Sequence, residues 1–388
     1  MNIRRVVVGV SGGVDSAVAT FLLKCKGYEV IGAFMRNWDL NDENGLCNST
    51  QDAQDANWIC DRLGIHLHYV NFVKEYWHDV FSYLIKDYET GYTPNPDIMC
   101  NKKIKFNSFF KYARENLGAD AIATGHYART SFGEYLSDYK PSRGVRLLKP
   151  VDVLKDQTFF LSQVNQEPLL RTIFPLGNLT KNYVKDIAHH AGLDYIVKKK
   201  ESMGICFIGS RHFQAFISEY IGAQPGVFID LDDGRVVGEH DGIHHWTVGQ
   251  RCRIGGVVKP YFVAKKEPTT HNIYVASGTN HPALFTEYFE ASDVHWIHSQ
   301  PKSLVNDGIL TCEFRFQHTK PLTKCQIVNL SDGRILVKLG LPLRAITPGQ
   351  YAVFYLGQEC LGSARITNPG PSLFSLGKSV QEEYRLYS

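Results

Sequence analysis

The chain is poor in several things, and each shortage closes off a class of protein. No apolar run in the 388 residues approaches the roughly 18 needed to cross a bilayer, so no membrane span is expected. Cysteine is sparse, nine in all, odd in number and scattered, far below the roughly 8–10% of disulfide-stapled secreted scaffolds. A reducing compartment fits that usage. The cysteines and the 15 histidines never fall into C-x-x-C or paired-ligand spacing, so no metal site is expected. An excess of one charge is missing as well: 42 Lys+Arg against 39 Asp+Glu leaves +3, which neither demands nor forbids a polyanionic partner. The start, Met1-Asn2-Ile3-Arg4-Arg5, runs straight into Val6-Val7-Val8 without a signal-peptide pattern, so secretion is not expected.

What is present is ordinary globular composition, 44% hydrophobic and 21% charged, and at about 150 residues per domain it makes two or three domains. Up to about residue 195, strand-like runs at 3–10, 29–35, 66–72 and 119–124 alternate with helix-period segments at 17–26, 52–63, 76–88 and 104–116. Gly27, Gly64, Gly91 and Gly118 follow those segments as helix stops. Four βα units in order predict a doubly wound parallel sheet. Residues 130–150 lapse into a polar stretch, read as an exposed hairpin or insertion. After Lys198-Lys199-Lys200-Glu201 short alternating runs and turn signals take over, and from about 280 the text is almost all β, as in a small closed barrel. The expected class is therefore α/β followed by β, with domains at 1–202, 203–278 and 279–388. Asp230-Leu231-Asp232-Asp233-Gly234 imitates the start of a calcium loop but lacks the closing Glu, and is read as a hairpin turn.

The first strand runs through Gly9 and Val10 into Ser11-Gly12-Gly13-Val14-Asp15-Ser16, with a helix expected near Ala17. Two glycines let the backbone turn sharply and face its N–H groups to a ligand, and the helix presents its positive end. Ser11 and Ser16 add hydroxyls, and Asp15 offers a carboxylate to Mg²⁺ bridging phosphate oxygens. A Walker lysine is absent, so the loop suits a departing pyrophosphate better than γ-phosphoryl transfer. The same residues also suit a plain helix cap after a tight turn.

Two cysteine contexts stand out. In Thr93-Pro94-Asn95-Pro96-Asp97-Ile98-Met99-Cys100 two prolines stiffen a loop expected to deliver Asp97 and Cys100 just before a helix. A thiol there, followed by Lys102, Lys103 and Lys105, is expected to have a lowered pKa and to be partly thiolate. Cys206 lies in Gly204-Ile205-Cys206-Phe207-Ile208-Gly209, flanked by glycines at a domain junction. Taken singly, each is equally a small buried hydrophobe.

The loop resembles the signature of the PP-loop ATP pyrophosphatases, enzymes that adenylate a carbonyl oxygen and release pyrophosphate. Together, S-G-G-V-D-S, P-N-P-D-I-M-C-N and G-I-C-F-I-G, in this order and at these separations, resemble the tRNA-specific 2-thiouridylases over essentially the whole chain. That resemblance implies an N-terminal PP-loop domain, a small mixed β domain and a C-terminal tRNA-contacting β-barrel. It implies an ATP-dependent sulfurtransferase that replaces the C2 oxygen of uridine 34 of tRNA, using ATP with Mg²⁺ and a sulfur-relay donor protein. Residue by residue, it makes Cys206 the persulfide carrier, Cys100 the partner nucleophile that closes a Cys100–Cys206 disulfide, and Asp97 the acid/base. Gly9 through Ser16, Met35 and Gly125 would bind ATP. Asn95, Pro96 and Asp97 would hold the target base, and His126, Lys155, Asp156, Gln157, Arg315, Phe316 and Gln350 would touch tRNA. Many bacterial members read Ser-Thr-Gly where this chain has Ser202-Met203-Gly204, a change that removes a hydroxyl and leaves the cysteine context intact.

Residues 101–200 hold 17 Lys/Arg against 9 Asp/Glu, enough to attract phosphates without reading sequence, although solvated helix surfaces give the same count. K-D-Q-T-F-F-L-S-Q-V at 155–164 and R-T-I-F-P-L-G at 171–177 resemble the mitochondrial branch, implying the matrix, with a bacterial cytoplasm as the alternative. No transit-peptide pattern precedes the first strand. Two other functions remain open on the residues alone. One is a PP-loop ligase or amidotransferase for a small metabolite, betrayed by pyrophosphate release without tRNA. The other is a silent tRNA-binding protein, betrayed by a failure to bind ATP.

Overall fold

A computed structural model describes residues 3–38, 48–199, 213–256, 259–381 and 384. Cys206 and its glycine-flanked run lie outside the described residues. The chain divides into two compact units: the first runs to Phe81, resumes at Pro96 and includes Gly357–Leu361, while the second holds Ser82–Asn95 and most of the later β segments.

The first unit is built around β1 (Arg5–Gly9). Val6, Val7 and Val8 are fully buried, the pattern of a central parallel strand covered on both faces. The other strands are β2 (Glu29–Arg36), β3 (Leu67–Asn71), β4 (Ala121–Ala123), the short pair β5 (Arg129–Thr130) and β6 (Leu147–Leu148), and β7 (Thr172–Ile173). One parallel sheet has the order β3-β2-β1-β4-β7. The order reverses between β1 and β4, which opens a crevice at their C-terminal ends, where open α/β sheets bind ligands. Helices α1 (Val14–Cys25) and α2 (Asn48–Leu63) connect the first three strands, and α1 buries Ala17, Val18, Ala19 and Leu23 completely. The four expected glycine stops all have positive φ. The polar stretch is the antiparallel hairpin β5–β6, and β6 pairs with Glu359 and Cys360.

In the second unit β8 (Gly226–Asp230), β9 (Val236–His240), β10 (Arg251–Cys252), β11 (Tyr261–Glu267) and β12 (Asn272–Ser277) make a sheet of order β10-β11-β12-β8-β9. It is mixed, because β12 and β8 are parallel while β11–β12 and β8–β9 are antiparallel. Asp230 accepts hydrogen bonds from the Asp232 backbone N–H at 2.9 Å and the Tyr261 hydroxyl at 2.6 Å, so the calcium-like run is indeed a turn.

The remaining strands, β13 (Phe285–Trp296), β14 (Ile309–Arg315), β15 (Thr323–Asn329), β16 (Ile335–Arg344), β17 (Tyr351–Leu356) and β18 (Glu359–Pro369), follow the order β13-β16-β15-β14-β17-β18, and β13–β18 pairing closes a barrel. Phe289, Phe314 and Phe354 fill it and are fully buried. The alternation rule does not find β13. Its register shifts between Thr286 and Tyr288 against β16, and twice more against β18. Each bulge flips the in/out phase of the side chains.

Candidate active site

The C-terminal end of β1 places the loop. The Val10 backbone N–H donates to the Ala33 carbonyl at 2.9 Å, and the chain then turns through Ser11 and Gly12. Gly12 has φ +79, and a Cβ there would lie 2.6 Å from the Asp52 carbonyl oxygen, so glycine is required both for the turn and for the close approach. Gly13 is the N-cap of α1, in extended conformation and with no side-chain cap. The Ser16 hydroxyl turns back to the Gly13 carbonyl at 3.0 Å and accepts from the Ser11 N–H at 3.1 Å. The hydroxyls therefore brace the loop and do not cap the helix, and the first-turn N–H groups remain aimed at a ligand. That geometry favours the anion cradle over the plain cap.

Asp15 departs from expectation. Read as a magnesium ligand, its carboxylate instead takes Lys181 Nζ on both oxygens, at 2.7 and 2.8 Å, and the Tyr127 hydroxyl at 2.9 Å. A carboxylate already neutralised by an ammonium is a poor ligand for a divalent cation, so Asp15 does not fit that role. Sequence reasoning does not single out Lys181 or Tyr127, and nothing local marks them, since Lys181 is 166 positions from Asp15.

The second wall comes from β4. Gly125 lies so close to the loop that a Cβ would sit 2.7 Å from the Ser16 nitrogen and 2.8 Å from the Asp15 carbonyl carbon. Its necessity is thus packing against the loop itself. His126 follows, with Nδ1 2.8 Å from the Thr124 hydroxyl and its ring 5.9 Å from that of Phe106. Desolvation first, and Lys105 second, push its pKa well below the usual histidine range, so the imidazole is neutral. On the other side of β1, Met35 Cε comes within 3.1 Å of a Cβ built at Gly9, which places Met35 over the strand end.

The third wall is the helix carrying the cysteine. It begins at Pro96, as Pro96–Cys100, and passes directly into a π-helical stretch, Asn101–Ser108. Pro96 fits the first helical position because its missing N–H would have no partner there. Asp97 and Cys100 are one turn apart on one helix, which corrects the expectation that both precede it. The dipole fades within a turn, so Cys100 gains less from the helix N-terminus than the sequence suggests. Cys100 is 5% exposed. Asp97 is exposed at the surface, yet crowding by protein desolvates its carboxyl enough to raise its pKa, and Lys105 pulls it partly back. Lys105 thus bears on the charge of both Asp97 and His126. The π-helix, a local fault often found at functional sites, has Phe106 out of helical conformation at φ −107 and ψ 19.

The residues expected to meet tRNA divide by environment. Asp156 is buried, with its carboxylate taking the Thr158 N–H at 3.0 Å and hydroxyl at 2.6 Å. Gln157 accepts from the Tyr127 N–H at 2.8 Å, and the same tyrosine reaches Asp15. Lys155 is half-buried. In the second unit, Gln350 donates to the carbonyls of Thr93 and Pro94 at 2.8 and 3.1 Å and accepts from the Asn95 amide at 3.2 Å. It therefore braces the loop that leads to Pro96. Arg315 donates to the His318 carbonyl at 3.1 Å and faces the Tyr355 ring at 5.4 Å, while Phe316 is buried.

Comparison with known proteins decides among the families sharing such a loop. The family described as "tRNA methyl transferase HUP domain" matches residues 4–210, followed by its PRC-barrel domain at 214–277 and an "Aminomethyltransferase beta-barrel domain" at 286–366. Mitochondrial tRNA-specific 2-thiouridylase 1 of Drosophila melanogaster is 55% identical over 95% of this chain and 95% of its own. The chain belongs to the tRNA-specific 2-thiouridylase family. The human protein of the same name is 48% identical over 97% of this chain and 93% of its own. A bacterial member, from Geobacillus thermodenitrificans, is 46% identical over 93% and 94%. Membership agrees with the three-part architecture and with the HUP-type parallel sheet. Among the described residues no helix is long and apolar enough to cross a membrane.

Proposed function

We propose that the protein is an ATP-dependent tRNA sulfurtransferase that converts the wobble uridine, position 34, to 2-thiouridine, and that it works in the mitochondrial matrix. The observation that carries the proposal is the uncapped phosphate loop packed against Gly125, in the same compact unit as a helix that carries Asp97 and Cys100 one turn apart. The curated relatives' names point to the same chemistry. Methyl transfer, which the family description mentions, needs neither a pyrophosphate cradle nor thiols.

A uracil C2 carbonyl is a weak electrophile, and oxide is a poor leaving group. The loop, from Gly9 to Ser16 with Gly125 and Met35 beside it, binds ATP so that the C2 oxygen attacks the α-phosphorus and pyrophosphate leaves. Magnesium would accompany the phosphates, without Asp15 as its ligand. The outer sulfur of a Cys206 persulfide, loaded by a relay donor protein, attacks C2, and AMP departs with the old oxygen. The Cys100 thiolate then attacks the Cys206 sulfur. The bond to the outer sulfur breaks, that sulfur stays on C2 as the thiocarbonyl, and a Cys100–Cys206 disulfide forms, to be reopened by a cellular dithiol. Asp97, whose pKa is raised by desolvation, exchanges the protons. Asn95, Pro96 and Asp97 hold the uridine, which leaves the anticodon stack at a cost of a few kcal/mol. His126, Lys155, Asp156, Gln157, Arg315, Phe316 and Gln350 belong to the tRNA-facing surface, directly or by bracing it. The domains run 1–202, 203–278 and 279–388.

The test separates adenylation from sulfur transfer. C206S and C100S are expected to release pyrophosphate from ATP when tRNA is added, yet make no 2-thiouridine. Pyrophosphate release independent of tRNA, or thiolation persisting in C206S, overturns the reading.

A further inference from the structure

The phosphate loop carries one charged residue, Asp15, and its sign is wrong for a polyanion. A lone carboxylate in the first turn of α1 repels a triphosphate at the place where the backbone is shaped to receive it. The fold compensates from far away in sequence. Lys181 opens the helix Lys181–His190, and its side chain, only 9% exposed, ends in an ammonium 2.7 Å from Asp15. The position is fixed from several sides. The Lys181 N–H donates to Asp152 at 2.9 Å, Thr180 is the N-cap and accepts from the Tyr183 N–H, and the Tyr127 ring lies 6.0 Å from the ammonium. Tyr127 also donates its hydroxyl to Asp15, so the acid is clasped by one cation and one phenol.

We infer that Lys181 is the cation this loop's own sequence lacks: it binds the β- and γ-phosphates of ATP and the pyrophosphate released from them, while Asp15 and Tyr127 hold its ammonium at the loop. The inference rests on the ATP-using reading of the same site. It replaces the Walker lysine, which comes from within the loop, with one delivered by a helix after β7. An ammonium shared between a carboxylate and a phosphate stays at the loop after pyrophosphate leaves, because Asp15 retains it.

Nucleotide binding measured by calorimetry on the full-length protein tests this, with ATP, AMP and inorganic pyrophosphate as probes. K181M is expected to bind ATP and pyrophosphate at least tenfold more weakly while AMP affinity stays within twofold, so the preference for ATP over AMP collapses. K181R is expected to recover most of the loss, and it keeps the buried ion pair, which guards against a variant that merely misfolds. D15N/K181M separates phosphate binding from charge neutralisation. If Lys181 binds phosphate, the double variant stays as weak as K181M. Recovery to wild-type affinity in the double variant would reduce Lys181 to a neutraliser of Asp15 and overturn the inference. Equal loss for AMP and ATP in K181R would overturn it too. A wild-type protein that binds neither ATP nor pyrophosphate fails earlier, and overturns the ATP-using reading itself.

Discussion

Asp97 shows most plainly how one side chain's environment sets its task. Its folded pKa is raised, chiefly by desolvation and against the pull of Lys105. For an acid, that means folding favours the neutral form. The cost of holding the carboxylate begins above the unfolded pKa of about 3.9 and is complete above the raised folded value. Because Asp97 is exposed, solvent screens most of that cost, so D97N is expected to melt no lower than the wild type at neutral pH, with any difference vanishing towards pH 3, while thiolation is lost. Thermal melts across pH check the sign; a lower melting temperature for D97N at neutral pH would mean that the charged form is the paired one. The same ionisation is expected in the pH profile of kcat/KM, above the ordinary carboxylate range, and absent from D97N. Gly125 makes a second residue-scale prediction. A methyl group there meets backbone at 2.7 Å, which cannot yield as a flexible side chain would, so G125A is expected to weaken ATP binding at least tenfold while tRNA binding changes little. Unchanged ATP affinity in G125A would show that the loop gives way.

At the scale of elements, the site is made by segment ends. Gln350 joins the barrel segment after β16 to residues 93–95 through three hydrogen bonds, each worth about 0.5–1.5 kcal/mol net. Q350A is expected to speed amide exchange at Thr93, which donates to the Pro348 carbonyl, by roughly tenfold, equivalent to about 1.4 kcal/mol, and to raise KM for tRNA more than that for ATP. Hydrogen exchange followed by mass spectrometry reads the first effect, and unaltered exchange in this segment would remove Gln350 as its brace. The elements also differ in how far the sequence reveals them. β1 is legible because three consecutive valines suit a strand covered on both faces and little else. The start of the cysteine helix is not: its two prolines signal a loop and move the expected start to 104, yet Pro96 is the first helical residue. β13 escapes because its bulges break the period on which strand recognition depends.

At the scale of the molecule, the cysteines among the described residues divide by environment. Burial pushes the Cys60 and Cys252 thiols up to about 12, and Cys325 is raised by its buried neighbour Cys312, 3.6 Å away sulfur to sulfur. Thiols of that kind stay protonated and inert. Cys100 differs by its place, one turn from the Asp97 carboxyl on the helix that begins at Pro96. The loop, Cys100 and Cys206 can be picked out in the sequence because each carries a local motif. Lys181 and Tyr127 cannot, because their role exists only once β1, β4 and the helix after β7 are assembled. The near-neutral total charge hides the same fact: one lysine in the right place outweighs the balance of the whole chain.

The most direct test of the central claim is nucleoside mass spectrometry of tRNA incubated with the protein, ATP and a low-molecular-weight persulfide, whose sulfane sulfur exchanges onto the Cys206 thiol with release of the donor thiol, in place of the relay donor. The wild type is expected to place one sulfur at C2 of uridine 34, with none when ATP is omitted or when Cys206 is replaced by Ser. Sulfur incorporated without ATP or without Cys206, or a methyl group found where the sulfur should be, would contradict the account.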